Sequence, residues 1–178
     1  MICDNIEKCV AVQVGELASV MCVNDAKKCI EVSDRRSEVK CEERKKKYIL
    51  ENTRRNQVIL YKMDGGVIVQ DKSVQAGTAK CDYLFVISGE KREAILTELK
   101  GVDVSHSLDQ LSGTLTQYKK FFDKIDHVYE RAVVSASTPN IKASPRYTNL
   151  CKRIKNNFGG NIKIYERQKK EKDIDLSK

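Results

Sequence analysis

Two apolar, β-prone runs joined by a short turn constrain the fold of this chain more than any other feature. The runs span residues 81–88 and 93–100, and Gly89-Glu90-Lys91 can form the turn between them. Stretches of this length that are rich in β-branched and aromatic residues predict strands, and a connection this short predicts a hairpin. We therefore expect a core built around an antiparallel pair of largely buried strands.

Directly after the hairpin, the apolar pattern changes to the period of a helix. Gly101 ends the second strand, and Asp103 can cap a helix. Six apolar side chains then recur at steps of three and four residues: Val104, Leu108, Leu111, Leu115, Tyr118 and Phe122. Such a stripe predicts a helix packed on the sheet, and Gly113 within it weakens that helix only slightly.

Further strands are expected on both sides of this unit. Residues 57–63 predict a strand, Asp64-Gly65-Gly66 a turn, and residues 67–70 a returning strand. These elements precede the hairpin and would extend its sheet.

The second half of the chain continues the alternation of strand and helix. Residues 131–136 predict a strand, Ser144-Pro145 the start of a helix that Gly159 ends, and residues 161–166 a last strand. The central order is then β-β-β-α-β-α-β. It predicts an α/β (α+β) fold with a mixed central β-sheet flanked by helices.

The two ends of the chain are expected to differ from this centre. Residues 1–34 predict an N-terminal extension with a small β-meander, although residues 16–31 could also form a helix. Its β-prone positions are Val10, Val12, Val14 and the runs 20–23 and 29–32. Residues 34–52 are charged and unbroken by Gly or Pro, which predicts a helix at the start of a main domain, 35–166. Residues 167–178 predict a charged C-terminal tail.

Composition excludes several classes of protein. Of the 178 residues, 40% are hydrophobic and 33% are charged, which is not typical of a disordered chain. No apolar run approaches the ~20 residues of a membrane span. The seven cysteines include no C-x2-C pair and the two histidines are isolated, so we expect reduced, packed thiols instead of a zinc site or disulfides. These features predict a soluble, cytoplasmic protein that does not bind membranes.

Positive charge is concentrated in two blocks. The chain carries a formal charge of +8, and residues 35–55 and 151–178 each hold nine bases against four acids. Residues 56–150 are almost neutral, with twelve bases against eleven acids. Two basic blocks around a neutral core are expected in a protein that binds a polyanion such as nucleic acid. Lysine-rich faces that only increase solubility would give the same pattern.

Three charged residues stand out in the apolar hairpin: Asp82, Glu98 and Lys100. Strand side chains alternate, so Glu98 and Lys100 point to the same face. A turn centred near residue 90 places Asp82 opposite Glu98, and a register centred one residue later places it opposite Lys100. In either register, the three side chains converge at the end of the hairpin remote from its turn.

This cluster has a structural and a chemical interpretation. Charges on a half-buried face cost free energy unless they are paired or bound to a metal. A salt bridge between Lys100 and one carboxylate on an exposed face would satisfy that requirement. Alternatively, Asp82, Glu98 and the backbone carbonyl of Leu99 can hold Mg²⁺, which activates water and stabilises charge on a scissile phosphate. Lys100 would then orient the water or contact the phosphate.

The spacing D-x15-E-x-K across a hairpin, followed by an amphipathic helix, resembles the PD-(D/E)xK nuclease superfamily over roughly residues 35–166. The resemblance implies a restriction endonuclease-like core and a Mg²⁺-dependent nuclease, in which Mn²⁺ could substitute. It implies hydrolysis of phosphodiester bonds to a 5′-phosphate and a 3′-hydroxyl, with DNA favoured over RNA. Cys81 stands where the motif has proline, a position that supplies no ligand.

The resemblance implies further site residues. An acidic residue is expected on a helix before the sheet, for which Glu51 is the choice and Glu43 the rival. Gln110 matches a glutamine that some members carry near the active site. For all three, an ordinary solvated side chain is the alternative. The candidate phosphate contacts are Arg54, Arg55, Lys119, Lys120, Lys152 and Arg153.

The sequence is compatible with a second function and with two kinds of assembly. A nucleic-acid- or partner-binding module on the same fold, with weak or lost catalysis, is the alternative to a nuclease. A homodimer that cuts two strands and one module of a larger defence or mobile-element system are both compatible with a chain of this size.

Overall fold

The computed structural model describes residues 6–18, 29–67, 77, 79–136 and 140–178. The strands in these residues are β1 Ile30–Asp34, β2 Glu38–Glu43, β3 Lys46–Glu51, β4 Gln57–Lys62, β5 Tyr83–Ser88, β6 Arg92–Leu99, β7 His127–Val134, β8 Ile162–Glu166 and β9 Gln168–Lys172. The helices are α1 Ile6–Gln13, α2 Val104–Gln117, α3 Lys119–Phe122 and α4 Pro145–Phe158.

The strands form two sheets. The larger has six strands in the order β1-β4-β5-β6-β7-β8, and the smaller has the order β2-β3-β9. In the larger sheet β1, β4, β5 and β6 are antiparallel neighbours, whereas β6, β7 and β8 are parallel. The protein is therefore an α+β protein with a mixed sheet flanked by helices, as the element order predicts. None of the helices in the described ranges is long and apolar enough to cross a bilayer.

The six-stranded sheet is covered on both faces. Leu84 and Leu96 point to the face that α2 and α4 cover, and Phe85 and Ile95 point to the face that the small sheet covers. As a result, β5, β6 and β7 are almost continuously buried, and β5 is almost continuously apolar instead of alternating. A charged side chain in these strands is thus placed in a dry environment.

The two helices predicted after the hairpin are confirmed together with their caps. All six side chains of the apolar stripe are buried. The first helix ends earlier than the stripe, since Tyr118 is the C-cap of α2 and Phe122 belongs to α3. Asp103 accepts a hydrogen bond from the main-chain N–H of His106, and Ser144 caps α4 in the same way. Gly159 ends α4 with a left-handed φ of 60°, a conformation that glycine adopts without a steric penalty.

The prediction of a β-meander is wrong for the residues of α1. Val10 and Ile6 are buried on one side of this helix, four residues apart, which is a helical spacing that the alternating valines obscured. The run 29–32 does belong to a strand, β1, while the run 20–23 lies outside the described residues. The returning strand expected at 67–70 also lies mostly outside them, and Val67 itself ends a turn region, Met63–Val67.

The prediction of a helix over residues 34–52 is also wrong, because this segment forms the β2–β3 hairpin. Val39 and Cys41 of β2 and Tyr48 and Leu50 of β3 are buried, and they alternate with more exposed residues on the outer face. That is the period of a strand. The turn between β2 and β3 contains neither glycine nor proline, so the sequence carries none of the usual turn signals.

The C-terminal tail is a structural element. Its strand β9 pairs in parallel with β3 and completes the small sheet. Glu171 points into the space between the sheets and accepts hydrogen bonds from Arg131 Nε at 2.7 Å and from the Tyr48 hydroxyl at 2.8 Å. The charges of residues 167–178 thus include one half of a buried ion pair, which composition cannot distinguish from a solvated tail.

Candidate active site

The β5–β6 hairpin brings the three predicted residues together. Tyr83 pairs with Thr97, which is the register centred near residue 90 and places Asp82 opposite Glu98. Asp82 comes just before β5, and Lys100 just after β6. One Asp82 oxygen, Oδ2, accepts a 2.7 Å hydrogen bond from the main-chain N–H of Leu99, which orients its carboxyl group.

Glu98 is completely buried, and neither of its carboxyl oxygens accepts a hydrogen bond from the described residues. The nearest cation is Lys100, whose Nζ lies 3.9 Å from Oε1. Burial and the Asp82 charge raise the pKa of Glu98 to about 9. The Lys100 ammonium and the Asp82 N–H lower this pKa, although neither makes a hydrogen bond of normal geometry to the carboxyl group.

The pKa of Asp82 is raised as well, to about 6. Burial is the main cause, and the charges of Glu43 and Asp64 add to it, whereas the Leu99 N–H and Lys100 act in the opposite direction. Two coupled carboxyl groups with raised pKa values are a signature of functional sites. Such a pair gains free energy when a cation approaches.

Three more acidic residues line the cleft into which Asp82 opens, Glu42, Glu43 and Asp64, together with one cation, Lys62. Glu43 ends β2 at the turn of its hairpin, and Asp64 follows β4 at the same edge of the molecule. The sequence predicts Glu43 only as the rival of Glu51. It does not single out Asp64, because Asp64-Gly65-Gly66 reads as a turn. Lys80 Nζ lies 3.2 Å from Asp64 Oδ1 and partly neutralises it.

Glu51 does not lie at this site. It is the last residue of β3, pairs across the hairpin with Glu38, and has Lys170 Nζ at 3.8 Å. Five residues of strand, roughly 16 Å, separate it from the start of β3 near the cleft. The expectation for Glu51 requires a helix over 34–52, and in the observed hairpin Glu43 takes the position beside Asp82.

Gln110 acts on the main chain that precedes Asp82. Its Nε2 donates a 3.0 Å hydrogen bond to the carbonyl of Lys80, and the neighbouring Thr114 hydroxyl accepts a 2.7 Å bond from the Cys81 N–H. Helix α2 therefore holds residues 80 and 81, and through them it positions Asp82. Gln110 is a positioning residue in this arrangement.

Close packing of α2 against Ala79 explains why a glycine, Gly113, lies inside this helix. A Cβ atom there would lie 2.5 Å from the carbonyl oxygen of Ala79. The glycine thus allows the segment leading to Asp82 to pack directly on the helix. The glycine lowers the helix propensity of α2, but it permits the close contact with the segment that leads to Asp82.

The six predicted phosphate contacts lie away from the cleft. Arg54 and Arg55 belong to the connection between β3 and β4, at the opposite edge of the sheet, where Arg54 lies 3.8 Å from Glu93. Lys119 and Lys120 belong to α3, beyond the far end of α2. In α4, Lys152 is exposed, and Arg153 donates hydrogen bonds to Ser112 and Thr116 of α2.

The residues present fit Mg²⁺. The unpartnered oxygens of Glu98 are what a cation would satisfy, and Asp82, Glu98 and the carbonyl of Leu99 would hold it. Among the described residues, no group of three or more His, Cys, Asp or Glu side chains has metal-ligand geometry. Mg²⁺ would therefore take the rest of its shell from water and substrate, as it commonly does.

Three comparisons with known proteins give no relative: no family model, no curated protein and no solved structure matches this chain. The function of the site is therefore inferred from its geometry and from the motif that the hairpin carries.

None of the five cysteines in the described ranges forms a disulfide.

Proposed function

We propose that this protein is a Mg²⁺-dependent nuclease that hydrolyses phosphodiester bonds, with DNA as the favoured substrate and a restriction endonuclease-like core. The observation that carries the proposal is the state of Glu98: it is fully buried, accepts no hydrogen bond from the described residues, and lies beside a second carboxyl group. A salt bridge made for stability would place an ammonium in hydrogen-bond contact with it. Here the ammonium of Lys100 stays at 3.9 Å.

Bound Mg²⁺ would supply Lewis-acid stabilisation of the charge that develops on the scissile phosphate. Asp82 and Glu98 would hold the ion, and the Leu99 N–H keeps the Asp82 carboxyl in one orientation. Lys100 is one-third exposed, so its ammonium can reach a water molecule or a phosphate oxygen in the cleft. Gln110 holds the main chain that leads into β5 through its hydrogen bond to the Lys80 carbonyl. Because the pKa values of both carboxyl groups are raised, loading the ion displaces protons from the site.

The test is cleavage of supercoiled plasmid, single-stranded DNA and RNA in Mg²⁺, Mn²⁺ or EDTA. Wild type is compared with Glu98→Gln, which keeps the shape of the side chain and removes its charge. Glu90→Gln is the matched control, since Glu90 is exposed in the turn of the same hairpin. We expect metal-dependent cleavage that is lost in Glu98→Gln and kept in Glu90→Gln.

Equal cleavage by wild type and Glu98→Gln would contradict the proposal. Folded wild type that cuts none of these substrates and binds neither Mg²⁺ nor Mn²⁺ would favour the alternative, a binding module with lost catalysis.

A further inference from the structure

The turn between β2 and β3 has an unusual sequence for its conformation. Glu43 pairs with Lys46, so the loop contains only Arg44 and Lys45, and both have positive φ angles of 46° and 67°. A two-residue turn with positive φ at both positions strongly favours Asn-Gly. Long side chains with a Cβ atom are unfavourable there, so local stability does not explain why Arg and Lys occupy the turn.

Their side chains add little to the stability of the fold either. The Arg44 side chain is 86% exposed, and its Nε lies 3.6 Å from Glu43 Oε1, beyond hydrogen-bond distance. Lys45 is exposed too. Lys46, in contrast, is buried and donates to the carbonyl of Arg44, which holds the turn in place. The turn is thus fixed in conformation, and it presents two cations to solvent.

The turn between β2 and β3 adjoins the acidic cleft. Glu43, the residue before Arg44, lines the cleft together with Asp82. Four carboxyl groups and one cation, Lys62, line the cleft. Its net negative charge repels the phosphates of a nucleic acid strand, and further cations at its border would help to bring the strand in.

A third exposed cation lies on the same edge. Arg167 has a left-handed φ of 60°, and its carbonyl accepts a 3.1 Å hydrogen bond from the N–H of Lys47, just after the turn. Its own N–H donates to Val134 at the end of β7, beside the end of β6 where Lys100 lies. Among the described residues, the non-glycine residues with positive φ are Arg44, Lys45, Arg55, Asn140 and Arg167. Three of these five are therefore cations at the cleft edge.

We propose that Arg44, Lys45 and Arg167, here called the basic rim, bind the phosphates of a nucleic acid strand on either side of the one that enters the cleft. The proposal rests on the proposed nuclease function and names the groups that hold its substrate. Arginine matches a phosphate with two parallel N–H donors, and lysine adds a point charge. The rim takes the role that the sequence predicts for the six expected contacts.

The double variant Arg44→Asn/Lys45→Gly separates this role from a structural one. The Asn-Gly pair suits the turn, so the variant should melt at a higher temperature than wild type while binding nucleic acid more weakly. Binding is measured by fluorescence anisotropy of a labelled DNA oligonucleotide, single- and double-stranded, in Ca²⁺ over a series of salt concentrations. The salt dependence of log K should become shallower by about 2 on duplex DNA, because about 0.9 of a counterion is released per phosphate contact.

Two further variants complete the design. Arg167→Gly should also raise the melting temperature and make the salt slope shallower by about 1. Lys91→Gln removes a charge from the hairpin turn at the opposite edge, and it should leave the salt slope as in wild type. The rim is overturned if the double variant binds with wild-type affinity and slope, if Lys91→Gln lowers both as much as the double variant, or if wild type binds no nucleic acid.

Cleavage distinguishes failure of the rim from failure of the nuclease. Wild type that cleaves with Mg²⁺ while the double variant keeps the wild-type KM overturns the rim and leaves the nuclease. Wild type that binds through Arg44 and Lys45 but never cleaves supports the rim as a phosphate site and overturns the nuclease. A raised KM with unchanged kcat in the double variant supports both.

Discussion

Two buried glutamates in this molecule have opposite surroundings. Between the sheets, Glu171 accepts hydrogen bonds from Arg131, Tyr48 and Lys163, and these contacts keep its pKa below the usual value. Near the end of β6, an interior strand of the larger sheet, Glu98 has no hydrogen bond from the described residues, and its pKa is raised to about 9. The first carboxyl group is fully hydrogen-bonded within the fold. The second has only the Lys100 ammonium nearby, at 3.9 Å from its Oε1.

The difference is one of pairing. A buried carboxylate that accepts hydrogen bonds from cations stabilises its partners, whereas one without such bonds costs free energy when it ionises. The comparison yields four predictions, in order of decreasing effect.

Loss of the paired carboxyl group should have the largest effect on stability. Glu171→Ala leaves the Arg131 guanidinium buried without its partner, so the free energy of unfolding should fall by about 3–5 kcal/mol. Urea unfolding followed by circular dichroism measures it. Lys170→Ala, at the exposed neighbouring position, serves as control and should change it by less than about 0.5 kcal/mol. Equal effects of the two variants would mean that the buried ion pair contributes no more to the free energy of unfolding than an exposed side chain does.

Glu130 provides a second unpaired carboxyl group away from the cleft. It is fully buried on the face of β7 that the helices cover, without a hydrogen bond from the described residues, and its pKa is raised to about 8. Burial causes the rise, and Arg153 and Arg131 oppose it. In the unfolded chain this glutamate titrates near its ordinary value, so between the two pKa values the folded state binds more protons. Stability should therefore fall as pH rises through this window.

The size of the Glu130 effect can be measured directly. From about pH 5 to about pH 9 in EDTA, the free energy of unfolding of wild type should fall by about 2–4 kcal/mol more than that of Glu130→Gln, since each pKa unit corresponds to 1.36 kcal/mol. The measurement is urea unfolding at several pH values. Parallel pH profiles for the two proteins would show that Glu130 is not held neutral by the fold.

The sequence predicts one of these regions much better than the other. Asp82, Glu98 and Lys100 lie on one hairpin, so strand period and turn position suffice to bring them together. The pairing of Arg131 with Glu171 depends on a parallel contact between β3 and β9, which are distant in sequence. No local pattern in a charged terminal segment indicates such a contact.

The errors around the cleft have a similar cause. Glu43 and Asp64 reach it from two turns. The Arg44-Lys45 turn has no glycine, so local signals miss it. Asp64-Gly65-Gly66 is predicted as a turn, but nothing in a turn sequence indicates that Asp64 lines a cleft. Where conformation departs from what the residues prefer, as at Arg44 and Lys45, local propensity predicts the wrong element.

Removing the Glu98 carboxyl group should stabilise the protein. Because its pKa is raised to about 9, the folded state near pH 8 holds a proton that the unfolded chain has released, which costs free energy. In EDTA near pH 8, the free energy of unfolding of Glu98→Gln should therefore rise by about 1–3 kcal/mol while cleavage is lost. Glu171→Gln, measured in parallel, should change stability in the opposite direction. A loss of stability in Glu98→Gln would mean that this carboxylate is paired in solution and would weaken its assignment to metal.

The smallest predicted effect is the response to Mg²⁺ itself. A ligand that binds only the folded state stabilises wild type by about 1.4 kcal/mol when present at about ten times its Kd. Glu98→Gln should lose this response, because half of the carboxylate pair can no longer carry charge. Glu51→Gln should keep it, since Glu51 lies at the far end of β3 and contacts Lys170. The measurement is the melting temperature with and without Mg²⁺ at constant ionic strength. An equal rise in all three proteins would show that Mg²⁺ binds elsewhere and that the unpaired state of Glu98 has a cause other than this ion.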